Sequence, residues 1–295
     1  MTKPIILITG ANGQLGNEIQ RIHATYPSMQ FVFADKLTLD ITVESWVMNY
    51  IETHKPDAVI NCAAYTNVER AEDEQDASSQ ANALAPGYLA KACKRTGALL
   101  IHISTDYVFD GTKTRAYLET DDVSPLNHYG ESKLEGERNI DKEYDRHYII
   151  RTSWLYSSYG HNFFKTMIRL AKEKGELRVV NDQIASPTYA GDLANDLILL
   201  LKSCLIDERP IPYGLYHYSQ EGKASWCDFA SEIVAQLRLN VPVYPVPSGA
   251  FPVKAIRPAF SKLNNSHWTK HTGFTARKWE AGLSSCIEEL QQHES

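Results

Sequence analysis

The chain has 295 residues, 43% of them apolar, enough to bury a full core as one large domain or two small ones without help from metals or disulfides. Its 36 acidic against 30 basic side chains leave a formal charge of −6 and exclude the basic excess that tracks nucleic acid. Five scattered cysteines, Cys62, Cys93, Cys204, Cys227 and Cys286, never form a CxxC pair, which argues against a disulfide framework and for a reducing cytoplasm. No apolar run reaches the roughly 18 residues of a membrane span, and Met1 to Pro4 leads into IILIT without the regions of a signal peptide, so the protein is expected to stay where it is made.

In chain order, short apolar runs alternate with stretches of helical spacing, the pattern of a parallel sheet with crossover helices. Strands are predicted at Ile5 to Ile8, Gln30 to Ala34, Ala58 to Cys62, Leu99 to Ser104 and His147 to Thr152. Helices fall between them at Gln14 to Tyr26, Val43 to His54, Ala77 to Thr96 (one helix or a pair) and Tyr129 to Tyr144. The fold class is α/β, a doubly wound, Rossmann-like parallel sheet, with its ligand crevice at the carboxyl ends. Past Trp154 come a helix at Asn162 to Lys174, the strand-like LRVVND, a helix at Ala190 to Leu201, the strand YGLYHYS and a helix at Trp226 to Leu237. Five prolines between Pro242 and Pro258 predict an extended loop there, and a last helix spans Ala276 to Gln291. This organisation assigns 1–156 with 185–220 to a dinucleotide-binding domain and 157–184 with 221–295 to a smaller C-terminal substrate-binding lobe.

Three of the 16 glycines fall within seven residues, Gly10, Gly13 and Gly16 of TGANGQLG, between the first strand and the first helix. Glycine permits positive φ and lets backbone N–H groups reach a pyrophosphate, and the helix N-terminus adds its dipole. The spacing is GxxGxxG and departs from the GxGxxG fingerprint. Asp35 nevertheless closes the second strand 19 residues after Gly16, where a carboxylate can accept from a ribose. Lys36 beside it can meet a 2′-phosphate, so NADPH and NADH are both admitted. NCAAYT, from Asn61, ends the third strand with small residues that let a ribose pass close.

ISTDYVFDG places Ser104, Thr105, Asp106 and Tyr107 at a strand end, and Tyr129 and Lys133 of YGESK stand four apart on one helix face. A phenol is a poor acid-base group at neutral pH unless a cation beside it stabilises the phenolate. Thr105, Tyr129 and Lys133 are the expected catalytic set, with Thr105 orienting the substrate oxygen or the Tyr129 hydroxyl.

These motifs together resemble the extended short-chain dehydrogenase/reductase family. Within it, TGANGQLGNE, SPLNHYGESKLEGE, RTSWLY, NFFKTMIRLA, VVNDQIASPT and RPAFSKL resemble the members that reduce the 4-keto group of dTDP-4-dehydro-L-rhamnose to dTDP-L-rhamnose, a nucleotide sugar for surface polysaccharide. The similarity runs from about Ile5 to Leu290. It implies that the dinucleotide contacts Gly10, Gly13, Gln14, Leu15, Asp35, Asp40, Ile41, Ala63, Ala64, Thr66, Tyr129 and Lys133. The deoxysugar would meet Val68, Thr105, Asp106, Tyr107, Tyr129 and Trp154, and Arg257 would hold the nucleotide's phosphates through its guanidinium fork. Tyr129 would be the proton donor and Lys133 its partner.

Some members of the family form a Mg²⁺-dependent homodimer through a Glu of the first helix and a Glu after an APT-like segment. Glu18 matches the first position, but Gly191 stands at the second and Asp192 is one residue off. No metal ligand is therefore assigned, Glu18 is expected to be a surface carboxylate, and the chain is expected to be a monomer or a homodimer. His267 and His271 of HWTKH have i, i+4 spacing but no third ligand, and are expected on the surface. Two other functions share parts of this pattern: a nucleotide-sugar epimerase, and a non-catalytic dinucleotide-binding regulatory subunit.

Overall fold

The apolar runs of the first half are strands because both of their faces are covered: Ile6, Leu7, Ile8, Val59, Ile60, Leu100 and Ile101 are all buried. The computed structural model describes residues 3–294, so Met1 and Thr2 of the N-terminal lead lie outside it. Among the described residues one parallel sheet contains β1 (Ile5–Thr9), β2 (Gln30–Ala34), β3 (Ala58–Asn61), β4 (Leu99–Thr105), β5 (His147–Thr152) and β6 (Gly214–His217). The strand order is β6-β5-β4-β3-β1-β2. The chain steps outward from β1 to β2 and then crosses to the other side of β1 for β3. At that reversal the connections part, and the carboxyl ends of β1 and β3 flank a crevice.

One face of the sheet packs on the helices Gln14–Ile22 and Ala190–Leu205, with Leu15, Ile19, Leu193, Leu197 and Leu201 against the strands. The other carries Glu44–His54 and Ala85–Thr96 through Val47, Ile51, Leu89 and Cys93. The segment read as one helix or a pair runs from Gln75 to Thr96 with a π-turn at Gln80–Leu84. There Asn82 exchanges hydrogen bonds with the Tyr65 backbone, accepting from its N–H at 2.8 Å and donating to its carbonyl at 2.9 Å. The wider turn aims a polar side chain at the NCAAYT segment, a use to which π-turns are often put.

A second core gathers Tyr156, Phe164, Met167, Leu177, Val179, Tyr189, Phe229, Ile233, Trp279 and Leu283 beyond the carboxyl end of the sheet. The proline-rich segment is partly a strand here: Val243–Val246 pairs in parallel with Leu177–Val180. Leu177 N–H donates to Pro242 O and Asn181 N–H to Val246 O, so even-numbered residues face the partner and Pro245, lacking a donor, takes an outward position. The helix Ser266–Thr272 packs its Trp268 on Tyr216 and Tyr218, on the main sheet's side. His267 stacks on Tyr216 at 4.6 Å and His271 meets His267 edge-on at 4.4 Å, so both rings lie half-buried at the surface. Among the described residues no helix is long and apolar enough to cross a membrane, and all five cysteines are unpaired.

Candidate active site

A cleft of about 2000 Å³ runs along the carboxyl ends of the strands, between the sheet and the second core. Its floor is the glycine loop. Gly10 has φ +63°, and a Cβ there would stand 2.6 Å from the Ala63 backbone, so the close approach of the loop to β3 requires glycine. The helix Gln14–Ile22 starts at Gly13 with no side-chain cap, which leaves its first-turn amides for a ligand on the cleft side, where Gly13, Gln14 and Leu15 form the wall. Gly16 is not on that wall. It lies beneath, where a Cβ would come within 2.6 Å of the Gly10 and Ala11 carbonyls, so its part is to let the helix pack on the loop.

Asp35 ends β2 at the rim, accepting from Thr38 N–H at 2.9 Å and from Asn12 Nδ2 at 2.9 Å, and these donors hold its carboxyl below the ordinary carboxylate range. Lys36 is exposed and lies 3.9 Å from Asp40, which is fixed by Thr42. Asp40, Ile41, Ala63, Ala64, Thr66 and Val68 all face the cleft. The donor set therefore fits a dinucleotide: uncapped amides for phosphates, a carboxylate for ribose and small residues where backbone approaches backbone.

The chemistry-bearing side chains meet at the end of β4. The Thr105 hydroxyl accepts from Tyr107 N–H and donates to Asp106 Oδ1, both at 3.2 Å, and it also hydrogen-bonds the Tyr129 hydroxyl. Burial pushes the Tyr129 phenol up to about 12, so at neutral pH it carries its proton. Asp106 is almost fully buried and takes the Ser261 hydroxyl at 2.5 Å; burial lifts its carboxyl to about 7. Tyr107 lies edge-on to Tyr129 with ring centroids 5.8 Å apart. Lys133 is also buried. Its ammonium nitrogen is 2.6 Å from Ile103 O and 3.3 Å from His102 Nε2, on a residue one helical turn after Tyr129, and burial brings it down to about 8.

The helix His128–Glu143 carries both Tyr129 and Lys133, and it is capped by Asn127, whose side chain accepts from Gly130 N–H at 2.8 Å. It is bolted to the sheet by Glu137, which receives Arg151 Nε at 2.9 Å, Arg151 Nη2 at 2.6 Å and the Ser104 hydroxyl at 2.5 Å. Neither Glu137 nor Arg151 was visible as a site residue in the sequence; a charged residue directly after the apolar run YII of HYIIRT was the signal available.

Trp154 sits at the cleft in a left-handed conformation, φ +48°, with its indole stacked on Trp226 at 3.5 Å. Trp226, Phe163 and Gln183 from the lobe also line the cleft and were missed, since nothing in their local spacing marks a site. Arg257 lines the cleft, bonds the Tyr107 hydroxyl and pairs with Glu69 at 2.8 Å.

The family model described as "RmlD substrate binding domain" matches residues 3–292. The chain belongs to the dTDP-4-dehydrorhamnose reductase family. It is 41% identical over 286 residues to the dTDP-4-dehydrorhamnose reductase of Aggregatibacter actinomycetemcomitans, covering 95% of this chain and 97% of that one. Among solved structures, the dTDP-4-dehydrorhamnose reductase of Clostridium acetobutylicum superposes with a TM-score of 0.91 at 42% identity, over 97% of this chain and 99% of that one. The Bacillus anthracis enzyme, solved in complex with NADP, gives 0.91 at 40% identity over 98% and 100%.

The Mg²⁺ site of some family members does not fit here. Glu18 is fully buried, which corrects the expectation of a surface carboxylate. Its oxygens accept from the Ser157 hydroxyl at 2.6 Å and from Arg21 at 3.1 Å. Buried Glu289 takes the hydroxyls of Ser158 and Tyr189 together with Arg21 Nε at 3.2 Å. One guanidinium and three hydroxyls thus occupy both carboxylates. At Gly191 a Cβ would stand 2.4 Å from the Tyr189 ring, so the room a second glutamate would need is filled by the tyrosine that bonds Glu289. Among the described residues no cluster of three or more His, Cys, Asp or Glu side chains is placed to hold a metal.

Proposed function

We propose that the protein catalyses the NAD(P)H-dependent reduction of the 4-keto group of dTDP-4-dehydro-L-rhamnose, giving dTDP-L-rhamnose for polysaccharide biosynthesis in the cytoplasm. The observation that carries this reading is the protonated Tyr129 phenol, held by Thr105 in the same cleft as the glycine loop. When bound, the reduced nicotinamide supplies the hydride that a carbonyl carbon needs. Tyr129 gives its phenolic proton to the C4 oxygen as charge develops there, Thr105 aims that hydroxyl, and Lys133 steadies the phenolate that results. The glycine loop with Gln14 and Leu15 takes the pyrophosphate. Asp35 accepts from the ribose and Lys36 offers a cation to a 2′-phosphate, so both NADPH and NADH are accommodated. The sugar nucleotide lies against Val68, Asp106, Tyr107 and Trp154, with Arg257 exchanging Glu69 for the diphosphate. The domain division of 1–156 with 185–220 and 157–184 with 221–295 belongs to the same proposal, except that Trp268 and Ala276 pack with the sheet.

Following NAD(P)H absorbance with the dTDP-4-keto sugar tests this: a reductase oxidises the cofactor stoichiometrically, whereas an epimerase or a regulatory subunit leaves it reduced. Tyr129→Phe should keep dinucleotide binding and lose about 10²- to 10⁴-fold in turnover. Unchanged turnover in that variant removes Tyr129 from the mechanism.

A further inference from the structure

β3 and β4 pair with Asn61 directly opposite His102, two polar side chains that are almost wholly buried. The Asn61 Oδ1 atom lies 2.6 Å from the Thr9 hydroxyl and 3.2 Å from Ala63 N–H. The first separation is that of an O–H···O bond and the second has a backbone donor, so it is the carbonyl oxygen of Asn61 that faces both. Its amide nitrogen is thereby turned to His102 Nδ1, at 2.9 Å. An amide N–H donates, so Nδ1 accepts and the neutral ring carries its proton on Nε2. That N–H points at Lys133 Nζ, 3.3 Å away, while Lys133 itself donates to Ile103 O.

Two donors can share a hydrogen bond only when one of them gives up a proton. The Nε2–H of His102 can bond the lone pair of an amine and opposes an ammonium. We propose that His102, locked by Asn61 in its Nε2–H form, is a positioning residue for Lys133 that weakens the lysine's hold on its proton. The inference rests on the reading of Tyr129 and Lys133 as the acid and its partner.

The other groups around Lys133 leave this role to His102. Tyr129 and Glu137 flank it on its own helix, and Glu137 favours the ammonium while burial favours the amine. On β5, His147 acts on the His102 ring and Arg151 is engaged by Glu137. His102 is itself held well below its ordinary range, by burial first and then by the charge of Lys133, so it acts as a fixed dipole and not as a second titrating site. The consequence is kinetic. Each reduction leaves Tyr129 as a phenolate; a loosely held ammonium proton restores the phenol, and solvent returns a proton to the amine.

The test is direct titration of the folded protein. In protein labelled with ¹³C at the lysine ε-carbon, the Lys133 resonance, identified by its loss in Lys133→Met, should titrate at lower pH in the wild type than in His102→Gln, whose side-chain oxygen accepts from the ammonium. Asn61→Asp should act in the same direction, because a carboxylate holds Nδ1–H and leaves Nε2 as the acceptor. A rise of about one pH unit is expected in each, matched by the alkaline limb of kcat, with KM at pH 7 changed by less than about twofold. The ¹⁵N imidazole spectrum of the wild type needs no variant and should show His102 protonated on Nε2. A proton on Nδ1, or an unmoved Lys133 midpoint in both folded variants, overturns the proposal. Failure of the wild type to oxidise NAD(P)H with the keto sugar would overturn the reductase reading and leave the lysine titration to judge this one separately.

Discussion

Removing Glu137 should unfasten the catalytic helix. The Glu137→Leu change deletes three charge-assisted hydrogen bonds, two from Arg151 and one from Ser104, and leaves the guanidinium, only 3% exposed, with Glu119, to which it is not bonded, as its nearest remaining counter-charge. Arg151 Nη1 already has no hydrogen-bond partner, so the residue has little alternative solvation to fall back on beyond the Phe109 ring, 5.2 Å away. Breaking one side of such a pair costs about 3–5 kcal/mol, whereas replacing both sides with apolar residues of similar size is often neutral or better. Glu137→Leu should therefore lower the unfolding free energy by about that amount, and Glu137→Leu with Arg151→Met should recover most of it. Urea unfolding followed by tryptophan fluorescence measures both. A single-variant loss under about 1 kcal/mol, or a double variant no more stable than Glu137→Leu, would refute the account of the pair as a mutually dependent clamp. Because the Glu137 charge favours the Lys133 ammonium, its removal should also shift the alkaline limb of turnover to lower pH.

Gly10→Ala places a methyl group against the Ala63 backbone in a positive-φ position, and is expected to cost about 1–2 kcal/mol of stability and to weaken NADPH binding at least tenfold in a fluorescence titration. Asp106 is raised to about 7 in the folded chain, so its contribution to stability is complete below the ordinary carboxyl range and is lost as pH climbs toward 7. Asp106→Asn should flatten the fall in melting temperature between about pH 4 and 7, without abolishing it, since Glu18 is raised in the same direction. Chelation by EDTA should leave the melting temperature of the wild type unchanged. Arg21→Met should lower it, because two buried carboxylates then face each other without their cation.

What the sequence made legible is what local spacing encodes. The strand, glycine turn, helix and strand leading to Asp35 follow from a run of period and punctuation, and Tyr129 and Lys133 share a helix face by their spacing of four. Glu18 was legible in part: it stands three residues after Leu15 and four before Ile22, on the apolar stripe of its helix, so its burial was implied by the same periodicity. Its compensation was hidden, because Ser157 is 139 residues away and Glu289 comes from the last helix. Asn61 and His102 are a similar case. Each is a conspicuous polar residue directly after an apolar run, but that they stand opposite one another is a fact of cross-strand register, which no local pattern contains.

The acidity of the chain raises one question that only the assembled site answers. A protein of charge −6 that is to bind a dinucleotide and a sugar nucleotide needs positive potential at the cleft, and its candidates are Lys133, Arg257 and the helix N-terminus after the glycine loop. Lys133 is buried and weakly basic, and Arg257 is paired with Glu69. The uncapped first-turn amides from Gln14 onward are the one member of that set not engaged by another protein group, the Gly13 N–H itself being bonded to Gly10 O. Backbone dipoles cannot be titrated and are not neutralised by a neighbouring carboxylate, so the dinucleotide side of the cleft keeps its attraction across pH. Arg257 must instead give up Glu69 before it can hold a diphosphate. The sugar nucleotide thus meets an ion pair that it has to break, whereas the dinucleotide meets amides that are already free.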